Sequence, residues 1–242
     1  MHRFLVSRDV LQSDRAVFDR ALARHLQTVL RVKAGESICF FDGEGKTREF
    51  LVEEVQRSGM RFSAVGDIVR HPRSKCDITL YVSLIKRLDW VIEKATEIGA
   101  SIIQPVETAR SVVKVTKDDI GKTGRWGKIA EEALRQCGGA WLPRVPAVKT
   151  FSEALEEIKS VGAPLFVGAL AGDTTPMLKA MEEFESPAQT ALFIGPEGDF
   201  SPEELSALLQ CGVVRPVTLG SRVLRAETAC VYGLSLLSAK YL

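Results

Sequence analysis

The sequence predicts an α/β protein of two domains: a small β-barrel with one helix over residues 1–72, then a mostly parallel sheet covered by helices over 73–242. Three observations predict this. Short apolar or alternating runs separated by turn residues fill roughly the first 70 positions, the pattern of small-barrel strands. Beyond the polar stretch RHPRSKCD (Arg70–Asp77), strand-length apolar runs alternate with helix-length amphipathic ones, which points to a parallel sheet buried on both faces. Three later strands end in glycine, at Gly168, Gly195 and Gly220, and an open α/β sheet collects its ligand beyond such carboxyl ends.

Each element follows from local pattern. RFLVS, ESICFFDG, REFLVEEV and GMRFSAVGDIV read as strands, with DGEG (Asp42–Gly45) and Ser58-Gly59 as turns. Between the first two, Phe18, Leu22, His25, Leu26, Val29 and Leu30 recur at helical spacing. In the second domain ITLYVSLI is a buried strand. Leu88, Val91, Ile92, Ala95 and Ile98 then share one helix face that ends at Gly99. SIIQPV is a strand and Trp126–Gln136 a helix. APLFVGAL and TALFIG are strands with a helix around Met177–Phe184 between them. Ser201–Leu209 is a helix, VVRPVTLG a strand, and Arg225–Tyr241 the last helix.

Composition excludes several classes. With 45% hydrophobic and 26% charged residues the chain is globular rather than disordered. Five scattered cysteines without a C-x-x-C spacing argue against a disulfide framework or a zinc site and fit a reducing compartment. His2, His25 and His71 are isolated, so no metal is expected. The segment MHRFLVSRDV has no apolar signal core, and no apolar run is long enough for a bilayer; the expectation is a soluble, cytoplasmic protein. A net charge of +1 excludes a general polyanion binder, but Arg110–Lys128 carries six Lys/Arg against two Asp, a local +4 suited to phosphates or simply to water.

Two stretches carry the chemistry. In LFIGPEGDFSPEEL, Ser201, Pro202 and Glu204 form a helix start, with Ser as cap, Pro at the first position and Glu204 closing a capping box. Glu197 and the glycines at 195 and 198 are surplus to that need. They suit a loop whose backbone lies against a ligand, beside the plainer reading of a tight turn. No G-x-x-x-x-G-K-[ST] or G-x-G-x-x-G is present, so neither a P-loop nor a dinucleotide site is supported. In LGSRVLRAETACVYGLSLL, Arg222, Arg225 and Glu227 precede or open an apolar helix. An Arg in a helix's first turn opposes the macrodipole, so helix stability does not explain Arg225. A salt bridge to Glu227 or Glu197 is the structural alternative to a catalytic role.

FIGPEGDFSPEEL and LGSRVLRAETA together resemble the two C-terminal signatures of the bacterial ribosomal RNA uridine-N3 methyltransferases, in the SPOUT superfamily. HLQTVLRVKAGESICFFDGEG resembles that family's N-terminal PUA-like barrel. KRLDWVIEKATEIGAS, RSVVK and WGKIAEEALRQCG resemble its middle segments in the same order. The resemblance implies a SPOUT-type α/β fold with a C-terminal trefoil knot, a homodimer, and methylation of uridine N3 in small-subunit (16S) ribosomal RNA. It implies S-adenosyl-L-methionine held by three loops: Gly168; Ile194, Gly195, Pro196, Glu197 and Gly198; and Leu219, Gly220, Val223, Leu224, Arg225 and Thr228. It also implies RNA contacts from Arg3, Arg31, Arg110 and Lys114. The chain departs from the family at Asp199, where glycine is usual, at Ser221, and at Gly139-Ala140, where an arginine commonly follows.

On that reading Arg225 or Arg222 stabilises charge on the uracil oxygens as N3 loses its proton. Glu227, with Glu197 second, orders the arginine or accepts the proton. The pairing-edge position of N3 requires an unpaired or flipped base. Two rivals stand beside it: a SPOUT enzyme acting on a ribose 2′-O or a transfer-RNA base, and a non-catalytic RNA-binding or assembly factor. Glycines at all three strand ends disfavour the second.

Overall fold

The computed structural model describes residues 1–28, 31–113, 120–170 and 173–242. They form two compact units, Met1–Arg73 with Leu134–Leu142, and Ser74–Ala133 with Pro143–Leu242.

The first unit holds β1 (His2–Leu5), α1 (Arg8–Gln12), β2 (Arg15–Asp19), α2 (Arg20–Thr28), β3 (Ser37–Phe41), β4 (Lys46–Gln56) and β5 (Gly59–Arg70). Its five strands pair in the order β1-β3-β4-β5-β2, antiparallel except for β1 against β3. In a flat sheet the two outer strands would lie about 19 Å apart, at 4.8 Å per strand. Yet the rings of Phe4 on β1 and Phe18 on β2 are 5.9 Å apart, centroid to centroid. The sheet therefore curls around a phenylalanine core in which Phe40 meets Phe18, Phe50 and Phe62 at 5.3, 4.6 and 5.2 Å.

Phe18 corrects the sequence expectation. It lies in β2, where Ala16 and Phe18 alternate inward and Arg15, Val17 and Asp19 outward, and not in the helix. The helix itself begins at Arg20, and Val29 and Leu30 lie outside the described residues. The strand β2 and the helix α1 add to the single-helix reading of this domain.

The segment Ala140–Leu142 completes this unit on the β3–β4 turn. The Gly45 N–H donates to the Ala140 carbonyl at 3.0 Å, and Leu142 N–H to the Gly43 carbonyl at 2.8 Å. Gly45 has φ +88°, and a Cβ there would come within 2.3 Å of the Trp141 ring, so both backbone and space require glycine. The Trp141 indole N–H donates to the carbonyls of His71 and Pro72 at 3.3 and 3.2 Å. Arg73 stacks on the ring, 5.4 Å from its centroid. Gly139 and Ala140 thus sit in a clasp built around Trp141.

The second unit comprises β6 (Asp77–Ser83), α3 (Leu88–Ile98), β7 (Ile102–Glu107), α4 (Ile120–Cys137, whose last turn falls in the first unit), β8 (Lys149–Thr150), α5 (Phe151–Val161), β9 (Leu165–Gly168), β10 (Thr175–Pro176), α6 (Met177–Met181), β11 (Gln189–Ile194), α7 (Pro202–Leu209), β12 (Val214–Thr218) and α8 (Ala226–Tyr241). The sheet order is β10-β12-β9-β11-β6-β7-β8 and every pairing is parallel. Continuous apolar runs such as Ala191–Ile194 are buried throughout, as a sheet covered on both faces demands. The first strand, β6, lies inside the sheet between β7 and β11, so the strand order reverses there. Because all strands point one way, the carboxyl ends of β9, β11 and β12 meet at one edge.

Candidate active site

Register sets the site. Gly168 on β9 pairs with Ile194 on β11 and with Val217 on β12, so the three strands end level. Beyond them the loops enclose a cavity of about 440 Å³, within the span of roughly 300–1,000 Å³ usual for small-molecule sites. Gly168, Ala169, Leu170 and Thr174 form one wall; Ile194–Glu197 and Asp199 the second; Val217–Ala226 the third, with Ala229 of α8 behind.

The middle loop is fixed from several sides. Asp199 N–H donates to the Pro196 carbonyl at 2.9 Å, closing a tight turn. Phe200 folds back under it, edge-on to Phe193 at 4.9 Å. A Cβ on Gly195 would lie 3.1 Å from the Phe200 ring, so the close return of the chain favours glycine there. Ser201 and Glu204 form the expected capping box. The buried Glu204 carboxylate does more than cap: one oxygen accepts from Ser201 N–H at 3.0 Å, the other from Ala109 N–H at 2.8 Å. Glu203 lies below the usual carboxylate range because it accepts its own backbone N–H, then the Ser201 hydroxyl, with Arg110 nearby.

Of the residues expected at the cofactor, Gly168, Ile194, Gly195, Pro196, Glu197, Leu219, Gly220, Val223, Leu224 and Arg225 line the cavity. Gly198 and Thr228 do not. The carbonyl of Gly198 faces away to Arg110, which donates to it at 2.8 Å. Thr228 is exposed on the first turn of α8. Arg222 and Arg225 are exposed on the cavity wall, and neither makes an ion pair among the described residues. Arg225 does not open the helix: with φ −64° and ψ 150° it is extended and occupies the cap position, without a side-chain capping bond.

The expected partnership of Glu227 with an arginine of its own loop is not made. Glu227 is buried off the cavity, and its carboxylate lies 3.8 Å from Arg87, at the start of α3. That leaves Glu197, exposed and lining the cavity, as the nearer of the two carboxylates to any ligand.

The expected RNA-contacting residues divide similarly. Arg3 is half-buried; it donates to the Gly139 carbonyl at 2.7 Å and stacks on Phe41, so its position serves the barrel. Arg110 holds the loop after β11 through the Gly198 carbonyl. Arg31 is exposed, with φ +52°, and Lys114 lies outside the described residues. Arg125, in the same basic stretch, pairs with Asp89, which also accepts the Trp126 indole N–H at 3.1 Å.

Sequence reasoning left out Leu170, Thr174 and Asp199, among others, as wall residues. Asp199 was visible only as a departure from glycine. Burial holds the Cys230 thiol far above its ordinary range and pushes Cys76 up to about 11, so neither supplies a thiolate nucleophile near neutral pH. Among the described residues no cluster of side chains fit for a metal occurs, and no helix is long and apolar enough to cross a membrane.

A level row of strand ends in a parallel sheet, a cofactor-sized cavity behind it and two exposed arginines on its wall define a small-molecule-binding α/β enzyme domain. Residues 72–238 match the RNA methyltransferase domain family, and residues 18–62 the RNA methyltransferase PUA domain family. The ribosomal RNA small subunit methyltransferase E of Synechocystis is 31% identical over 98% of this chain and 77% of its own. The Neisseria gonorrhoeae protein of that name, solved bound to S-adenosyl methionine, superposes with a TM-score of 0.86 at 26% identity, covering 99% of this chain and 97% of its own. A Legionella pneumophila protein solved with the bound cofactor SAM gives 0.84 at 28%, over 99% and 97%. This chain belongs to the ribosomal RNA small subunit methyltransferase E family.

Proposed function

We propose that this protein transfers a methyl group from S-adenosylmethionine to N3 of a uridine in small-subunit (16S) ribosomal RNA. The observation that carries the reading is the cavity at the level ends of β9, β11 and β12, with Arg222, Arg225 and Glu197 on its wall. The donor set fits this cofactor. Strand-end backbone and the apolar Ile194, Leu219, Leu224 and Ala229 suit a nucleoside, while Glu197 suits a cationic centre. When bound, S-adenosylmethionine supplies an activated methyl group on a sulfonium, so this chain's own tasks are orientation and charge.

Uracil N3 is a poor nucleophile until its proton leaves, and the resulting charge spreads to the flanking oxygens. Arg225 or Arg222 donates to an oxygen that gains charge, and both guanidiniums are uncommitted among the described residues. Glu197 accepts the N3 proton. Glu227, buried off the cavity and paired with Arg87, takes no direct part.

Domain 1–72 and the basic positions Arg31, Lys114 and Lys128 hold RNA through phosphates while the domain 73–242 does chemistry. The C-terminal chain forms a trefoil knot, supported by its return from β12, outside β9, to pack α8 on β11, β6 and α3. The molecule is a homodimer, supported by the exposed Val223 and Tyr232. It works in the cytoplasm. The test is methyl transfer from labelled S-adenosylmethionine to small subunits from cells lacking the activity, followed by nucleoside mass spectrometry. A 3-methyluridine product is expected. A 2′-O-methyl product, labelling of transfer RNA supplied in parallel in place of the subunits, or RNA binding without turnover each refutes it in favour of a named rival.

A further inference from the structure

Asp199 stands where the chain turns back toward α7, at φ +60°, in the left-handed region that residues with side chains seldom adopt. Glycine makes such a turn without strain, so the side chain needs its own explanation. Its Oδ1 accepts the next N–H, that of Phe200, at 2.8 Å, a local bond open to aspartates at such turns. Its Oδ2 accepts the Leu170 N–H at 3.2 Å, from 29 residues earlier in the chain. The second bond crosses from the loop after β11 to the loop after β9, and both residues it joins line the cavity. Leu170 is 63% exposed, so apolar packing does little to hold that residue. A glycine at 199 would keep the turn and leave Leu170 N–H without this acceptor.

We propose that Asp199 is a positioning residue for the methyl-donor site: its carboxylate latches the loop after β9 onto the loop after β11 and fixes the distance between two cavity walls. The proposal rests on reading this cavity as the S-adenosylmethionine site. The opposite side of the same loop is tied by Arg110 to the Gly198 carbonyl, so the turn is held from both flanks while its inner face stays open to ligand. Only a side chain that tolerates positive φ and presents two acceptor oxygens satisfies both N–H groups. Aspartate meets both conditions, and asparagine only the first.

The test compares wild type with Asp199→Gly and Asp199→Asn. Four quantities are read: amide exchange of Leu170 without ligand, the thermal midpoint, calorimetric Kd for S-adenosylmethionine, and kcat with KM for the methyl donor on ribosomal substrate. In Asp199→Gly the Leu170 amide should exchange about tenfold faster, with Kd and KM for the methyl donor raised about tenfold, the scale of one lost hydrogen bond. At saturating donor, kcat should stay within about twofold and the thermal midpoint should hold, since the turn prefers glycine; Asp199→Asn should fall between. Unchanged Leu170 exchange overturns the latch. Faster exchange with unchanged Kd overturns its positioning role, as does a loss of kcat that tracks a lowered thermal midpoint. A wild-type protein that fails to bind S-adenosylmethionine refutes the cofactor reading instead, and the ligand-free exchange still decides the latch.

Discussion

Arg225→Ala separates a functional arginine from a structural one, because the structure predicts opposite consequences for stability and for rate. Arg225 caps α8 with no side-chain capping bond, is exposed, and has no ion pair among the described residues. Truncating such a side chain changes stability by no more than about 0.5 kcal/mol. The sign should be neutral to favourable, since a positive charge at a helix N-terminus opposes the macrodipole by a few tenths of a kcal/mol when exposed to water. If Arg225 donates to a uracil oxygen as charge builds there, its loss should remove about 2.7–4 kcal/mol of transition-state stabilisation, or roughly 10²–10³ in kcat. Affinity for the methyl donor should change less than kcat, because the stabilised charge is on the base. The assay is single-turnover methyl transfer with saturating donor, alongside a thermal melt and calorimetric donor binding. A variant with wild-type turnover refutes the assignment. So does one that loses turnover only in proportion to donor affinity, which would make Arg225 a cofactor contact. Arg222→Ala, run in parallel, decides which of the two guanidiniums serves.

Further outcomes follow from the contacts around the site. Gly45→Ala adds about 1–2 kcal/mol of backbone strain at φ +88° to about 1–3 kcal/mol of over-packing against Trp141, so urea denaturation should report a loss of roughly 2–5 kcal/mol; an unchanged midpoint would mean the Trp141 clasp yields freely. Glu204→Ala should destabilise more than Ser201→Ala, whose cap is worth about 1 kcal/mol, because it also strands the Ala109 N–H; the reverse ranking would show that this tie is dispensable. Arg110→Ala should weaken methyl-donor binding through the Gly198 carbonyl and leave the salt dependence of RNA binding almost unchanged; a slope reduced by about one unit would identify a phosphate contact instead. The Glu153 carboxyl is held below its ordinary range by the Thr150 backbone N–H and hydroxyl at the start of α5. Its folded pKa is thus below its unfolded one, so its stabilisation is complete above the unfolded value and is lost as pH falls through the folded one. Wild type and Glu153→Gln should accordingly differ in thermal midpoint at neutral pH and converge in acid.

The parallel sheet was legible because its strands are buried on both faces and so read as continuous apolar runs, with Gly99 and the Ser201 box as punctuation. What escaped has physical causes. The five residues of β2 alternate with period two, but Phe18 and Leu22 also fall at helical spacing, and a pattern that short supports either period. The helix α5 carried a readable signal, Thr150 with Glu153 three residues on, ahead of an apolar stripe. Two-residue strands such as β8 and β10 carry no periodicity at all, and exist only because a neighbouring strand supplies partners.

At the site, residue types were legible and partners were not. Glycines at 168, 195 and 220 mark backbone positions, and a position in sequence is enough to place them at a strand end. A side chain's role depends on what faces it, and here the facing residues are remote in sequence. Glu227 meets Arg87, 140 positions earlier in the chain, because α3 packs beside α8. That pairing removes a carboxylate from the arginine loop, and Arg110 and Arg3 are likewise drawn to backbone carbonyls. Arg222 and Arg225 remain without ion pairs among the described residues, on the wall of a cavity that also presents Glu197. Exposed arginines on an open surface need no explanation, but two on one short loop between a strand end and a helix cap, both lining the cavity, stand where a ligand rather than the fold would use them. This is why losing them should cost rate and spare stability, whereas losing Glu204, or the glycine at 45, should cost stability first.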